Sequence, residues 1–176
     1  LMHTGYPPQG GVDHPAFGAL VAESRTANGL PGYVAIGGPG EDAGFLSAIH
    51  SPFPVKNPLK PVRHLAPAKG LGDARFEERL SLWRSLETRF AASRGGTYAN
   101  KQREIGEQAI TLMRAAGASA FNLEQESQST KDSYGPSEFG QGCLMARRLV
   151  ESSVPFVEVT LNGWDTHEDN FKRVKE

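Results

Sequence analysis

Proline and glycine in the first 72 residues constrain this chain more than any other feature. All but two of the 12 prolines lie there, together with many of the 20 glycines of the 176-residue sequence. Because proline fixes φ and lacks a backbone donor, long helices and strands cannot form in this stretch. Residues 1–72 are therefore predicted to be loop-rich, with 44–62 running over the surface.

Two short elements are expected within this loop-rich stretch. His14 and Pro15 can open a helix that continues to about Ala27, and the stop signal Asn28-Gly29 follows it. The face of this helix predicted to point inward carries Phe17, Leu20, Val21 and Ser24. The β-type run 33–36, which is followed by Gly37-Gly38, predicts a strand.

Residues 73–153 have the periodicity of helices. Apolar residues spaced three and four apart predict helices over 75–92 and 98–116. They are expected to pair as a hairpin that covers a sheet, with contacts through Phe76, Trp83, Phe90, Ile105 and Leu112. One short helix is expected near 118–123. Another is predicted over 137–152, with Phe139, Cys143, Leu144 and Val150 facing inward.

The segment 155–161 decides the fold class. It is β-branched and alternating, begins at a proline and ends at Asn162-Gly163, and so predicts a strand. A helix that leads into a strand with polar residues beyond its end is typical of an open α/β sheet. We therefore expect one α/β domain, with 154–176 forming a strand, a polar motif and the start of a helix.

Composition limits the classes of function. The net charge of -1 lacks the clustered excess of Lys and Arg that nucleic-acid binding requires. The apolar runs are all shorter than the roughly 20 residues that cross a bilayer. The single cysteine, Cys143, cannot form an internal disulfide and is predicted to be a small inward-facing residue.

Asp165 and His167 are the first candidates for a functional site. They stand two residues apart just after the predicted strand, where both side chains can converge on one cation. Mixed oxygen and nitrogen ligation suits Zn, Mn or Fe. Asp-x-His is a weak pattern, however, and the alternative is that Asp165 caps the following helix while His167 is exposed in its first turn.

The N-terminal segment provides the second set of candidates. Thr4 can contact an anionic substrate, and His3 or His14 can bind metal or transfer a proton. The alternative is a simple turn with a histidine satisfied by the backbone. Gly38-Pro39-Gly40 is not expected to bind a dinucleotide, because Pro39 lacks an amide and no long helix follows Gly44.

A series of segments, in this order, resembles one bacterial family. They are MHTGYP (2–7), LPGYV (30–34), AGFL (43–46), PFPV (52–55), RFEER (75–79), YG (134–135), FGQGCLMARRLVE (139–151) and GWDTH (163–167). The family is domain-of-unknown-function family fifteen-oh-one, which is similar to the sulfatases and alkaline phosphatases. The resemblance spans essentially the whole chain.

The resemblance implies part of an α/β/α sandwich of the alkaline phosphatase and sulfatase type. It also implies a divalent metal ion (Zn, Mn, Ca or Mg), Asp165 and His167 as its ligands, and a small-molecule or polysaccharide ester of phosphate or sulfate as substrate. Proteins of this kind are often exported, to the periplasm for example. The superfamily's nucleophile segment and later ligands do not occur in the chain, so both ends are expected to be cut and the chain alone to be inactive.

Three classes of function follow from these features. The first is a metal-dependent hydrolase of phosphate or sulfate esters. The second is an exported binding or structural protein that keeps the fold without the reaction, because a fold does not fix a function. The third is phosphoryl or sulfuryl transfer on the same scaffold.

Overall fold

The centre of the molecule is a three-stranded parallel sheet. The computed structural model describes residues 2–7, 11–25, 27–94 and 97–163. Within them β1 (Tyr33–Ile36) lies between β2 (Phe53–Val55) and β3 (Phe156–Val159). The strands predicted at 33–36 and 155–161 are confirmed, the second in a shorter form. A parallel sheet combined with helices confirms the α/β class.

The strand β2 corrects the expectation of a purely surface-running segment at 44–62. This stretch also contains a short 3-10 helix, Ala48–His50. The carbonyl of Val55 accepts a hydrogen bond from the amide of Gly37 at 2.9 Å, so Val55 directs its backbone groups toward β1. The backbone of Pro54 therefore faces away from β1, on the outer side of the edge strand, where its lack of an N–H group breaks no hydrogen bond between strands. The prolines that argued against a strand are therefore tolerated.

One face of the sheet is covered by α1 (Phe17–Ser24), which packs closer than its sequence suggested. A Cβ atom placed on Gly18 would lie 2.7 Å from a ring atom of Phe156. Only small residues fit at that distance, and the buried ones are Gly18, Ala19 and Ala22. Phe17 and Leu20, which were predicted to face inward, are exposed. The predicted inward face of α1 is therefore wrong.

The opposite face is covered by α5 (Glu138–Glu151). A Cβ on Gly142 would lie 3.1 Å from Val159, so this helix also approaches the strands through a glycine. Leu144 is fully buried, as predicted, and Cys143 is partly buried. Two other residues predicted to face inward were placed wrongly, because Phe139 and Val150 are exposed.

The helices α2 (Asp73–Arg94) and α3 (Thr97–Arg114) form the predicted hairpin. The ring of Trp83 lies against Gly106, where a Cβ would come within 2.5 Å of it. Leu112 is buried and joins the main core beside the sheet, so α3 connects the hairpin to that core. Phe90 and Ile105 were predicted at the contact, but they are 50% and 38% exposed. The hairpin is confirmed and these two contacts are wrong. The two faces of the sheet are covered by α1 and α5 rather than by the hairpin.

Short helices connect the hairpin to α5. Where one helix was expected near 118–123, the chain forms two 3-10 helices, Ala116–Phe121 and Leu123–Gln125. They are followed by α4 (Gln128–Tyr134), whose N-cap Ser127 accepts from the amide of Thr130. In the part of the chain that the structure describes, no helix is both long and apolar enough to cross a membrane.

Candidate functional site

The carboxyl ends of β1 and β3 meet at one edge of the sheet. The amide of Thr160, just past β3, donates to the carbonyl of Ile36 at the end of β1 with a length of 2.8 Å. Gly37 then turns with φ of 78°, and a Cβ on it would lie 2.9 Å from the Thr160 carbonyl oxygen. Ligands of open α/β sheets bind outside this edge. A ligand site is therefore expected at this edge of the sheet.

The N-terminal segment is held beside the sheet by the start of α1. Gly18 in the first turn of this helix lies against the rings of Tyr33 and Phe156. The first amides of α1 lack partners inside the helix. The amide of Phe17 donates to the carbonyl of His3 at 2.8 Å, and the amide of Ala16 donates to the carbonyl of Asp42 at 3.2 Å. The backbone of His3 is thereby fixed beside the sheet.

A hydrogen-bonded network joins this segment to both strands. The Tyr33 hydroxyl donates to Glu158 Oε2 at 2.6 Å and accepts from the amide of Glu41 at 3.4 Å. His3 Nδ1 lies 4.0 Å from the same Glu158 oxygen. The Glu158 side chain is 22% exposed and the His3 side chain 53% exposed. The partly buried carboxylate of Glu158 therefore lies beside the accessible imidazole of His3.

The protonation of the network is set by burial and hydrogen bonding. Burial raises the pKa of Tyr33 well above its usual range, and the hydrogen bond to Glu158 raises it further. The phenol therefore remains a donor at physiological pH. On the neighbouring loop, the hydrogen bond from Ser51 and then that from the amide of Ala43 lower the pKa of Asp42, which stays ionised.

The three N-terminal candidates have different surroundings. His3 lies beside Glu158 of the network. His14 stacks on Tyr6, with ring centroids 4.0 Å apart, and meets Phe45 edge to face. The Thr4 hydroxyl bonds to the backbone of Tyr6 in both directions, as donor and as acceptor. The Thr4 side chain thus stabilises a turn, and its contact with a substrate stays a prediction. His3 is the stronger candidate of the two histidines, because it lies beside Glu158.

Asp165 and His167, the predicted metal ligands, lie outside the described residues. The last described part of this segment is at the sheet edge, where the Asn162 side chain donates to the carbonyl of Gly37 at 3.4 Å. Among the described residues, no group of three or more His, Cys, Asp and Glu is arranged to hold a metal ion. The geometry of the Asp-Thr-His motif therefore remains a prediction.

Tyr33 and Glu158 belong to the candidate site but were not predicted from the sequence. Glu158 is the single charged residue in the strand Phe156–Val159, and it lies on the same face as Phe156. A charge on a half-buried strand needs a partner, which is a signal readable in the sequence. Tyr33, by contrast, gives no such signal, because a tyrosine in a short strand is ordinary.

A comparison with family models accounts for the whole chain. Residues 1–176 match the model described as protein of unknown function (DUF1501). The chain belongs to the DUF1501 family. The expected family membership is therefore confirmed, whereas the relationship of DUF1501 to the sulfatases stays an expectation. No curated protein and no solved structure matches this DUF1501 chain.

Proposed function

We propose that this DUF1501 chain carries part of a metal-dependent site that hydrolyses phosphate or sulfate esters in an exported protein. The observations that support it most are the approach of His3 to Glu158, the last residue but one of β3, and the exit of the segment that leads to Asp165 from the carboxyl end of the same strand. Sites of open α/β proteins lie at this end of the strands. The resemblance to sulfatases and alkaline phosphatases supplies the reaction class.

The proposal assigns metal binding to Asp165 and His167. Asp165 comes two residues after Gly163, and Gly163 is the last described residue of the segment that leaves β3. A carboxylate oxygen and an imidazole nitrogen suit Zn, Mn, Ca or Mg to different degrees. A bound divalent ion would polarise the ester and stabilise the charge that develops on it.

A titration with Mn²⁺ tests the assignment on the chain itself. We expect weak binding, because two protein ligands are fewer than the three or four of a complete site. In a labelled sample, paramagnetic broadening should centre on the His167 imidazole and disappear in Asp165→Asn. Asp132→Asn, which changes an exposed carboxylate on α4, is the matched control. Broadening that is unchanged in Asp165→Asn would exclude Asp165 as a ligand.

Hydrolysis is tested on the complete product of the gene, with nitrophenyl phosphate and nitrophenyl sulfate as substrates. Turnover that needs divalent metal and is lost in both Asp165→Asn and His167→Gln supports the proposal, with His50→Gln as the histidine control. Metal binding without turnover of either ester contradicts it. That result favours instead the non-catalytic binding protein that keeps the same fold.

A further inference from the structure

We propose that His3 is the proton-transferring group of this site and that Glu158, held by Tyr33, is its positioning residue. This inference rests on the proposed ester hydrolysis and adds the acid-base group to it. Three parts of the chain that are far apart in sequence meet to build the arrangement: the N-terminal segment, β1 and β3. Each part contributes one side chain with a distinct chemical task.

The orientation of the Glu158 carboxylate is set by Tyr33, independently of His3. Its Oε2 accepts a 2.6 Å hydrogen bond from Tyr33, whose hydroxyl is itself oriented by the amide of Glu41. Tyr33 is 1% exposed and its ring meets Phe156 edge to face, so it cannot turn away. The carboxylate is therefore presented in one orientation, with a lone pair left for a further donor.

His3 has a hydrogen-bonded backbone and a half-exposed ring. Its carbonyl is bound by the first turn of α1, and its Nδ1 faces Glu158 Oε2 at 4.0 Å. This separation must shorten to become a hydrogen bond, and catalytic contacts often tighten in this way only when substrate binds. Nε2 lies on the opposite side of the ring from Nδ1. The half-exposed imidazole thus presents Nε2 away from Glu158.

The arrangement fits the chemistry of a carboxylate that selects a histidine tautomer. With Nδ1–H directed at Glu158, neutral Nε2 can take the proton of an attacking O–H group as its oxygen bonds to phosphorus or sulfur. The bond to the leaving oxygen then breaks, its electron pair stays on that oxygen, and Nε2 returns the proton there. The imidazole ends neutral, and Glu158 remains a carboxylate throughout.

Among the described residues, Glu158 is the acidic group within 4.0 Å of a His3 ring nitrogen. Glu158 faces it from β3, and Tyr33 acts on it from β1 through Glu158. Glu41, on the loop after β1, bonds to Tyr33 through its backbone amide. Within this network the Tyr33 phenol does not compete as an acid, because burial raises its pKa.

Nitrogen NMR of the histidine rings tests the positioning without any activity. We expect His3 to carry its proton on Nδ1 when neutral, whereas an unconstrained histidine carries it mainly on Nε2. Glu158→Ala should move the proton to Nε2, and Glu158→Gln, which keeps an acceptor oxygen, should retain the Nδ1 form. Glu124→Ala is the control, since Glu124 is exposed on a 3-10 helix. Identical His3 spectra in the wild type and a folded Glu158→Ala variant would overturn the inference.

Tyr33→Phe keeps the inference testable if Glu158→Ala does not fold. It retains the buried ring and removes only the anchor of Glu158, so a partial shift toward the Nε2 form is expected. No shift in a folded Tyr33→Phe variant would contradict its anchoring role.

Kinetics of the complete gene product separate the two proposals. His3→Gln should lower kcat about 100-fold with little change in KM, within the usual range for an acid-base group. Glu158→Gln should retain more activity than Glu158→Ala. An inactive wild-type protein would refute the ester hydrolysis itself, whereas an active protein that tolerates His3→Gln would refute the role of His3 alone.

Discussion

The hydroxyl of Tyr33 donates to Oε2 of Glu158, and this 2.6 Å bond spans 125 positions in the sequence. In the strand register Tyr33 lies opposite Phe156, so its phenol reaches along β3 to the residue two positions further on. The bond links adjacent parallel strands through their side chains. It also gives the carboxylate in the strand the partner that partial burial demands.

Removing this donor should destabilise the fold. Tyr33→Phe leaves Glu158 partly buried without its hydrogen bond and should lower the free energy of unfolding by about 1–3 kcal/mol. Urea denaturation measures the change. Tyr6→Phe is a suitable control, because Tyr6 is exposed and its stacking on His14 uses the ring alone. An equal effect of the two substitutions would show that the bond contributes nothing.

Tyr33 should also make stability fall in alkali. Burial, followed by the bond to Glu158, raises its pKa in the folded chain above the unfolded value of about 10. The folded state therefore holds this proton more tightly, and its stabilisation is complete below pH 10 and lost as pH rises further. Above that point the difference between wild type and Tyr33→Phe should shrink by up to about 1.4 kcal/mol per pH unit. A constant difference from pH 8 to 11 would contradict this.

Gly18 should tolerate no side chain. An added Cβ would lie 2.7 Å from Phe156 and 2.8 Å from Tyr33, both of them ring atoms packed under α1. Gly18→Ala must push the helix off the sheet and should cost about 1–3 kcal/mol, as overpacking usually does. Gly72→Ala is the matched control, because nothing lies within 4 Å of its Cβ position. Thermal unfolding of both variants decides whether the close approach is real.

Much of the fold could be predicted from local patterns. The alternation at 155–161 and the apolar spacing at 75–92 gave β3 and α2, since periodicity reports directly on one strand or one helix. The parallel pairing of β2 with β1 could not be predicted, because Pro54 argues against a strand. Its missing N–H group is tolerated only because it faces the outer side of an edge strand, where no hydrogen bond is made. The predicted inward face of α1 was wrong, and so were Phe139 and Val150 in α5, whereas Leu144 was right. Both helices meet the sheet through glycine, so larger residues beside that glycine point outward.

The site shows a similar division. His3 was a candidate because of its residue type in a polar motif, and the structure places it beside Glu158, whereas its role stays a prediction. Its partner Glu158 was passed over, because hydrogen bonding between residues so far apart depends on register, which one sequence does not contain. Asp165 and His167 stay predictions outside the described residues. Long-range geometry, rather than residue type, was the missing information.

Trp83 should hold the helical hairpin together. Its ring lies against Gly106 of α3, so truncation leaves a cavity between the helices. Trp83→Ala should cost on the order of 3 kcal/mol, which is typical for the loss of a packed aromatic ring. Leu82→Ala, one residue earlier and 61% exposed, should change stability by no more than about 0.5 kcal/mol. Similar losses of stability in both variants would show that Trp83 makes no specific contact with α3.

Asp42 should stabilise the loop after β1 at neutral pH and lose that effect in acid. Its Oδ1 accepts from the Ser51 hydroxyl and, at 2.7 Å, from the amide of Ala43, and these bonds lower its pKa in the folded state. A depressed folded pKa adds stability above the unfolded value of about 4, and this contribution is lost as pH falls through the folded pKa. Asp42→Asn, which cannot ionise, should therefore be less stable than wild type at pH 7 and approach it below pH 4.

Ser51→Ala removes the hydrogen bond that lowers the pKa of Asp42 most. The difference in unfolding free energy between Ser51→Ala and the double variant Ser51→Ala/Asp42→Asn should therefore vary less with pH than the difference between wild type and Asp42→Asn. Urea denaturation between pH 3 and 7 measures both comparisons, and a wild-type advantage that grows in acid would reverse the assignment.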